Sequence, residues 1–362
     1  MTLAQTLQRR HLAQVTPYAS ARRSMTQNGL WLNANEAPNT PSSMAADETL
    51  NRYPSFQSNA LNSAYAGYAE VQPEQVLSCR GSDEAIDLLI RSFCEPGQDA
   101  IMITSPTYGM YAISAQTHGA QVIDVPLQPA QEGRMELDIA AMETALKQHS
   151  VKLIFVCNPS NPLGSCVSLT AIRALLKTVG EEAIVIIDEA YIEYAAASTA
   201  QPLNATTQWL ADYPQLVILR TLSKAFGLAA IRCGFALADP SILEVLSKVM
   251  APYPLPQPTI DRACTALSAT GVAAMQLAVA TTVQLRQSVS TALATKPWVL
   301  RSWPSVTNFI LLQVENAEQI VAQCAQQGVL IRNQSQQFKG IQAVRISIGS
   351  PSEMQRLLEV LS

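Results

Sequence analysis

Between residues 76 and 219, short apolar runs alternate with helical stretches, and this rhythm constrains the fold more than any other feature of the chain. Val76-Leu77 precedes Ala85–Cys94, Ala100–Ile103 precedes Met110–Gln116, and Gln121–Val125 precedes Ile139–Lys147. Leu153–Cys157 then precedes Ala171–Val179, followed by Ala183–Ile187 and Leu216–Leu219. Parallel strands need long crossovers, and helices are the usual ones, so the pattern predicts an α/β fold. Its central sheet is mostly parallel, with helices on both faces. The run Ala-Ile-Val-Ile-Ile at 183–187 has no polar position, as a central strand buried on both sides requires.

The rhythm stops at Pro252, Pro254 and Pro256. Beyond them the pattern predicts a long helical stretch at about 257–295 and a strand around Asn308–Gln313. A helix around Ala317–Gln327, a strand at Val344–Ile348 and a closing helix from Ser352 follow. That is a smaller α+β domain. At the other end Pro17, Asn28-Gly29, Pro38 and Pro41 break any long periodicity and predict an extended arm, with Trp31-Leu32 as an apolar docking patch. A chain of 362 residues exceeds one typical core. The organisation expected is an arm at 1–45, a large domain at 46–252, and a small domain at 253–362 that includes part of the arm.

Several function classes are disfavoured. Net charge is −4 with no basic run, which argues against nucleic acid and anionic membranes as partners. The 7 cysteines are odd in number and show no CxxC spacing, so neither a disulfide framework nor a zinc site is expected, and a reducing compartment fits. No apolar run approaches the roughly 18 residues of a membrane span, and the first residues lack the apolar middle of a signal peptide. A cytoplasmic protein is the expectation. HExxH, GxSxG and GxGxxG do not occur, and the 3 histidines (His11, His118, His149) read as structural or surface positions, so no metal site is expected.

Chemistry concentrates where the strands end, the edge at which open α/β sheets bind ligands. Gly81-Ser82-Asp83-Glu84 follows the first strand and opens a helix, which suits an anion such as phosphate as well as an ordinary N-cap. Asn158-Pro159-Ser160-Asn161-Pro162-Leu163-Gly164 is a rigid turn able to aim the Asn161 amide. Asp188-Glu189-Ala190-Tyr191 puts a carboxylate at the end of the most buried strand, where it needs a partner: a helix N-terminus, or a protonated pyridine nitrogen. Ser223-Lys224 lies in the small, apolar Thr-Leu-Ser-Lys-Ala-Phe-Gly, with Arg220 before it and Arg232 beyond. A lysine there can form an imine with an aldehyde and, once released, move a proton. Each motif alone has an ordinary structural reading. Four on one sheet edge supply an anion cradle, a ring-nitrogen carboxylate, groups for a phenolic oxygen and an imine-forming amine.

The segment from Arg220 to Phe235 resembles the lysine signature of class II aminotransferases of pyridoxal-phosphate fold type I. Within that branch the chain is similar to the histidinol-phosphate aminotransferase family. The stretches that carry this are Thr16-Pro17-Tyr18, Leu32-Asn33-Ala34-Asn35-Glu36, Asn51-Arg52-Tyr53-Pro54, Gly81-Ser82-Asp83-Glu84 and Pro106-Thr107-Tyr108. Asp188 to Glu193, Ala251-Pro252-Tyr253-Pro254, Ile331-Arg332 and Val344-Arg345-Ile346 continue it, in order, over nearly the whole chain. Ser160 and Leu163 depart from the usual turn around the asparagine, and Ala230 stands where a second glycine is common.

The resemblance implies that Lys224 carries pyridoxal phosphate covalently, with Asp188 on the pyridine nitrogen. Asn161 and Tyr191 would meet the phenolic oxygen, and Tyr108 would stack on the ring. It implies that Gly81, Ser82, Asp83, Ser223 and Arg232 hold the phosphate, that Tyr53 reaches it from the neighbouring subunit of a homodimer, and that Arg332 and Arg345 hold substrate anions. Tyr18 and Asn35 would lie near the entrance. The implied reaction interconverts L-histidinol phosphate and 2-oxoglutarate with imidazole-acetol phosphate and L-glutamate, in histidine biosynthesis. The alternatives are a related aminotransferase for aromatic amino acids or a decarboxylase of a phosphorylated amino acid. A non-catalytic sensor would need an attached DNA-binding segment, which residues 1–40 are too short and too broken to supply.

Overall fold

The computed structural model describes residues 1–16, 32–40 and 50–362. Among them, seven strands form the main sheet: β1 (Val76–Cys79), β2 (Ala100–Ile103), β3 (Gln121–Asp124), β4 (Val151–Cys157), β5 (Ile184–Asp188), β6 (Leu216–Thr221) and β7 (Gly234–Ala238). Their order is β1-β7-β6-β5-β4-β2-β3. The pairings of β2 with β3 and β4, of β4 with β5 and of β5 with β6 are parallel. Strand β7 runs antiparallel to both β6 and β1.

Successive residues of β5 point to opposite faces, as strand geometry demands. Val185 and Ile187 enter one core with the helices Asn59–Ala69 and Leu169–Val179, while Ile184 and Ile186 enter the other with Ser82–Phe93 and Pro240–Val249. The expected sheet with helices on both faces is therefore present. Strand β7 was not anticipated, because Gly-Phe-Ala-Leu-Ala is short and mostly small. It matters for function: β6 and β7 form a long hairpin whose loop, residues 222–233, hangs off the carboxyl end of β6.

A second sheet comprises β8 (Val299–Ser302), β9 (Phe309–Val314), β10 (Arg332–Asn333) and β11 (Ala343–Ser347), all antiparallel in the order β8-β9-β11-β10. Ile310, Leu312, Val344 and Ile346 face a core shared with the helices Ala317–Gln326 and Pro351–Val360. Leu311 and Ala343 face the other way and join the core of the main sheet. By the same alternation Arg345 points out of the small core, towards the main sheet's carboxyl edge.

Two expectations need correction. The helical stretch at 257–295 is two helices, Gln257–Ala266 and Ala269–Ala294, set 72° apart. Ser268 caps the second by accepting from the Gly271 N–H, and that capping signal outweighs the continuous apolar periodicity. The arm is not extended at its start either. Leu3–Leu7 is helical, fixed by a Thr2–Gln5 capping box and by Ala4 and Leu7 buried with the Pro240–Val249 helix. No single described helix is long and apolar enough to cross a membrane.

Candidate active site

The carboxyl ends of β4, β5 and β6 and the hairpin loop enclose a cavity of about 480 Å³, closed on its far side by the β10–β11 corner of the small sheet. Lys224, Asp188, Asn161, Tyr191, Tyr108, Ser82, Asp83, Ser223, Arg232, Arg332 and Arg345 all line it.

At the floor, Asp188 ends β5 and is buried. Its Oδ2 accepts from the Tyr111 hydroxyl at 2.6 Å and its Oδ1 from the Ala190 N–H at 3.1 Å. Burial raises its pKa to about 6, against the opposing pull of the Tyr111 and Ala190 hydrogen bonds. Tyr111 is itself fully buried and stacks on Phe155 with centroids 4.8 Å apart. Facing this carboxyl group, Lys224 projects from the hairpin loop with its Nζ 5.6 Å from the centre of the Tyr191 ring. Burial, and secondarily the Arg345 guanidinium, lower its pKa. A lysine treated this way spends more time as the free amine, the form that attacks carbonyls.

One end of the cavity is an anion cradle. Gly81 adopts φ +77° just before the helix Ser82–Phe93, leaving the first N–H groups of that helix without helical partners. A Cβ at Gly81 would sit 2.7 Å from Arg232 Nη2, so glycine is what lets the guanidinium close over the turn. Gly234 has the same role for the strand, since a Cβ there would lie 2.4 Å from the Ser82 nitrogen. Arg232 donates from Nη1 to Ser223 Oγ at 3.3 Å and from Nη2 to Asp83 Oδ2 at 3.3 Å. Tyr108 donates to the other Asp83 oxygen at 3.0 Å.

At the opposite end Arg332 and Arg345 are direct cross-strand partners. Arg345 donates to Asn161 Oδ1 and lies over the Phe309 ring at 5.3 Å. Neither arginine has a carboxylate partner among the described residues. Two guanidiniums side by side with no acid repel each other unless an anion comes between them. Burial pulls the Arg345 pKa down, and the neighbouring Arg332 adds to the effect.

Two expected residues are elsewhere, and a third is not described. Tyr53 is half exposed and stacks on Tyr253 at 4.4 Å, outside the cavity lining of its own chain. Asn35, at φ +56°, is also outside that lining. Tyr18 lies outside the described residues. The sequence reading also missed residues. Tyr111 lies in the first turn of the helix Met110–His118, three positions beyond Tyr108, which precedes that helix, and this closeness in sequence was its available signal. Gln334 and Gln337 line the arginine end, two and five residues past Arg332, with nothing in their polar neighbourhood to mark them. Arg220 does not reach the cavity. It is fully buried and bonds Glu189 at 2.8 Å, Asn204 at 2.9 Å and the Leu203 carbonyl at 3.0 Å.

Residues 23–361 match the family model of aminotransferase class I and II. The chain is 49% identical to histidinol-phosphate aminotransferase 2 of Idiomarina loihiensis, across 100% of this chain and 99% of that protein. It is 42% identical to the histidinol-phosphate aminotransferase of Sodalis glossinidius, across 98% and 95%. Among solved structures, the histidinol-phosphate aminotransferase of Sinorhizobium meliloti in complex with pyridoxal-5'-phosphate superposes with a TM-score of 0.75 at 23% identity, covering 91% of this chain and 88% of that one. The enzyme of the same name from Clostridium acetobutylicum gives 0.76 at 22%, covering 86% and 90%. These two likenesses speak to the fold.

Proposed function

The chain belongs to the class I and II aminotransferases, and from that membership we propose that it transfers the amino group of L-histidinol phosphate to 2-oxoglutarate, reversibly, with pyridoxal phosphate as cofactor. The products are imidazole-acetol phosphate and L-glutamate, and the setting is histidine biosynthesis. The observation that carries the reading is that one cavity holds a depressed lysine amine, a buried carboxyl group, an anion cradle and a separate, acid-free arginine pair. A substrate with an amine at one end and an anion at the other fits between the lysine and the arginine pair.

The residues suit the cofactor. The cradle of Gly81, Ser82, Ser223 and Arg232 offers N–H, hydroxyl and guanidinium donors to a phosphate. Among the described residues Asp188 has one hydroxyl and one amide donor and no cationic hydrogen-bond partner, a deficit that a protonated ring nitrogen would fill. Pyridoxal phosphate, when bound, supplies an aldehyde that accepts an amino group and a ring that draws electrons from the broken Cα–H bond.

The chain's own groups do the rest. Lys224 Nζ would take the proton from the substrate Cα as a general base, and burial, by lowering its pKa, favours the neutral amine that this role needs. Asp188 holds a proton on the ring nitrogen, and Tyr111 fixes the carboxyl plane through a 2.6 Å bond. Tyr108 and Tyr191 wall the ring site and exclude water. Arg345 and Arg332 bind the substrate's far anion, carboxylate in one half-reaction and phosphate in the other, because a guanidinium fork matches both.

We extend the proposal to a cytoplasmic homodimer. Tyr53, half exposed and outside its own cavity, is free to complete the phosphate cradle of a second copy. The test of the function is direct. The purified protein should be yellow, and histidinol phosphate with 2-oxoglutarate should yield glutamate. Turnover of aromatic amino acids alone, or release of carbon dioxide from a phosphorylated amino acid, would replace this reading with another.

A further inference from the structure

Gln334 stands apart from the other polar groups at the arginine end. Its residue is only 8% exposed, it lines the cavity, and its carboxamide has no hydrogen-bond partner among the described residues. Its backbone N–H donates to the Ala343 carbonyl at 2.8 Å, which fixes the residue at the cavity wall. The carboxamide therefore keeps its N–H donors and its oxygen for whatever enters the cavity. It is two residues beyond Arg332, whose cross-strand partner is Arg345.

From this unpartnered carboxamide we infer that Gln334 is a specificity-determining residue, whose amide N–H donates to the third oxygen of a phosphate monoester. The inference rests on the reading of Arg332 and Arg345 as the substrate-anion site. A carboxylate has two oxygens, and one guanidinium fork can meet both. A phosphate monoester has three terminal oxygens. A further donor beside the arginines can therefore meet an oxygen that a carboxylate does not have. A neutral donor beside them favours phosphate without adding charge that would also tighten the carboxylate. Gln334 thus answers a problem the dual-substrate reaction poses: the anion pocket must hold glutamate but prefer the phosphorylated substrate. A third arginine would strengthen both.

The test is calorimetric titration of the holoenzyme, its cofactor cradle filled, with methyl phosphate and separately with acetate, in the wild type and in Gln334→Met. Methionine keeps the length and removes the N–H. The expected result is a fall of about tenfold in the ratio of methyl phosphate affinity to acetate affinity, the size of one lost hydrogen bond to a charged group. In transamination, the KM for histidinol phosphate should rise about tenfold relative to the KM for glutamate. Gln334→Glu should lower the affinity ratio further, because its carboxylate repels the more highly charged ligand more strongly. An equal loss for both ligands would mean that Gln334 only packs the wall, and no loss for either would mean that it faces the anion without touching it. Both results overturn the inference. If the wild type prefers methyl phosphate through Gln334 but does not transaminate histidinol phosphate, the inference stands and the proposed substrate falls.

Discussion

Tyr111→Phe isolates one bond at the centre of the site. Phenylalanine keeps the ring stacked on Phe155 at 4.8 Å and deletes only the hydroxyl that donates to Asp188 Oδ2 at 2.6 Å. Hydrogen bonds to charged groups in proteins contribute ~1.5–3 kcal/mol. Asp188 is pushed up to about 6 by burial, and the Tyr111 bond opposes that push. Removing the bond should therefore raise the pKa by another ~1–2, because each unit corresponds to ~1.4 kcal/mol between the charged and neutral forms. At neutral pH the wild-type carboxyl is mostly ionised and the variant's is about half protonated or more. An ionised Asp188 is what holds a cationic ring nitrogen. The acid limb of cofactor retention, measured by absorbance after equilibrium dialysis across pH 5 to pH 9, should move upward by ~1–2 pH units in the variant. An unchanged limb, or one shifted downward, would refute the link between the hydroxyl, the carboxylate and the cofactor.

Three further outcomes follow from the same geometry. Arg220→Met leaves Glu189 buried without its cation, so urea unfolding should show a loss of ~3–5 kcal/mol, with the cavity residues untouched. In the apo-protein Asp188 has a raised native pKa, so its contribution to stability is fully present below about pH 4 and is lost as pH rises through about 6. Asp188→Asn does not titrate, and its apo form should therefore gain on the wild type by up to ~3 kcal/mol across that window and level off above it, as read by urea unfolding at a series of pH values. Arg345→Ala should lower kcat/KM by ~30-fold or more in both half-reactions, since each ends on a charged group that it binds; stopped-flow traces of the two halves that match the wild type would remove Arg345 from the substrate site.

Much of this site could be read where strand ends and side-chain chemistry coincide. Asp188 stood out because a carboxylate directly after Ala-Ile-Val-Ile-Ile must be buried, and the structure buries it at the end of β5. Lys224 and Arg232 stood out for their small, apolar setting, and the β6–β7 hairpin explains how both reach one edge. Gly81 was legible as the start of an anion-binding or capped helix, but not as the opening through which Arg232 approaches, because that contact joins residues far apart in sequence. Tyr111 and Gln334 were missed for the same reason. Each is an unremarkable residue in its own segment and acquires meaning only from a tertiary neighbour. The break at Ser268 was missed because apolar periodicity runs across it, while a serine cap turns the chain through 72°.

The claim on which the account rests is a covalent one, and borohydride reduction followed by peptide mapping tests it most directly. Wild-type protein purified with pyridoxal phosphate should carry the reduced cofactor on the peptide containing Lys224 and lose its visible absorbance, whereas Lys224→Ala should bind the cofactor without retaining it after reduction and denaturation. A wild-type protein that traps no cofactor, or a Lys224→Ala variant that traps it as efficiently on another lysine, would contradict the account.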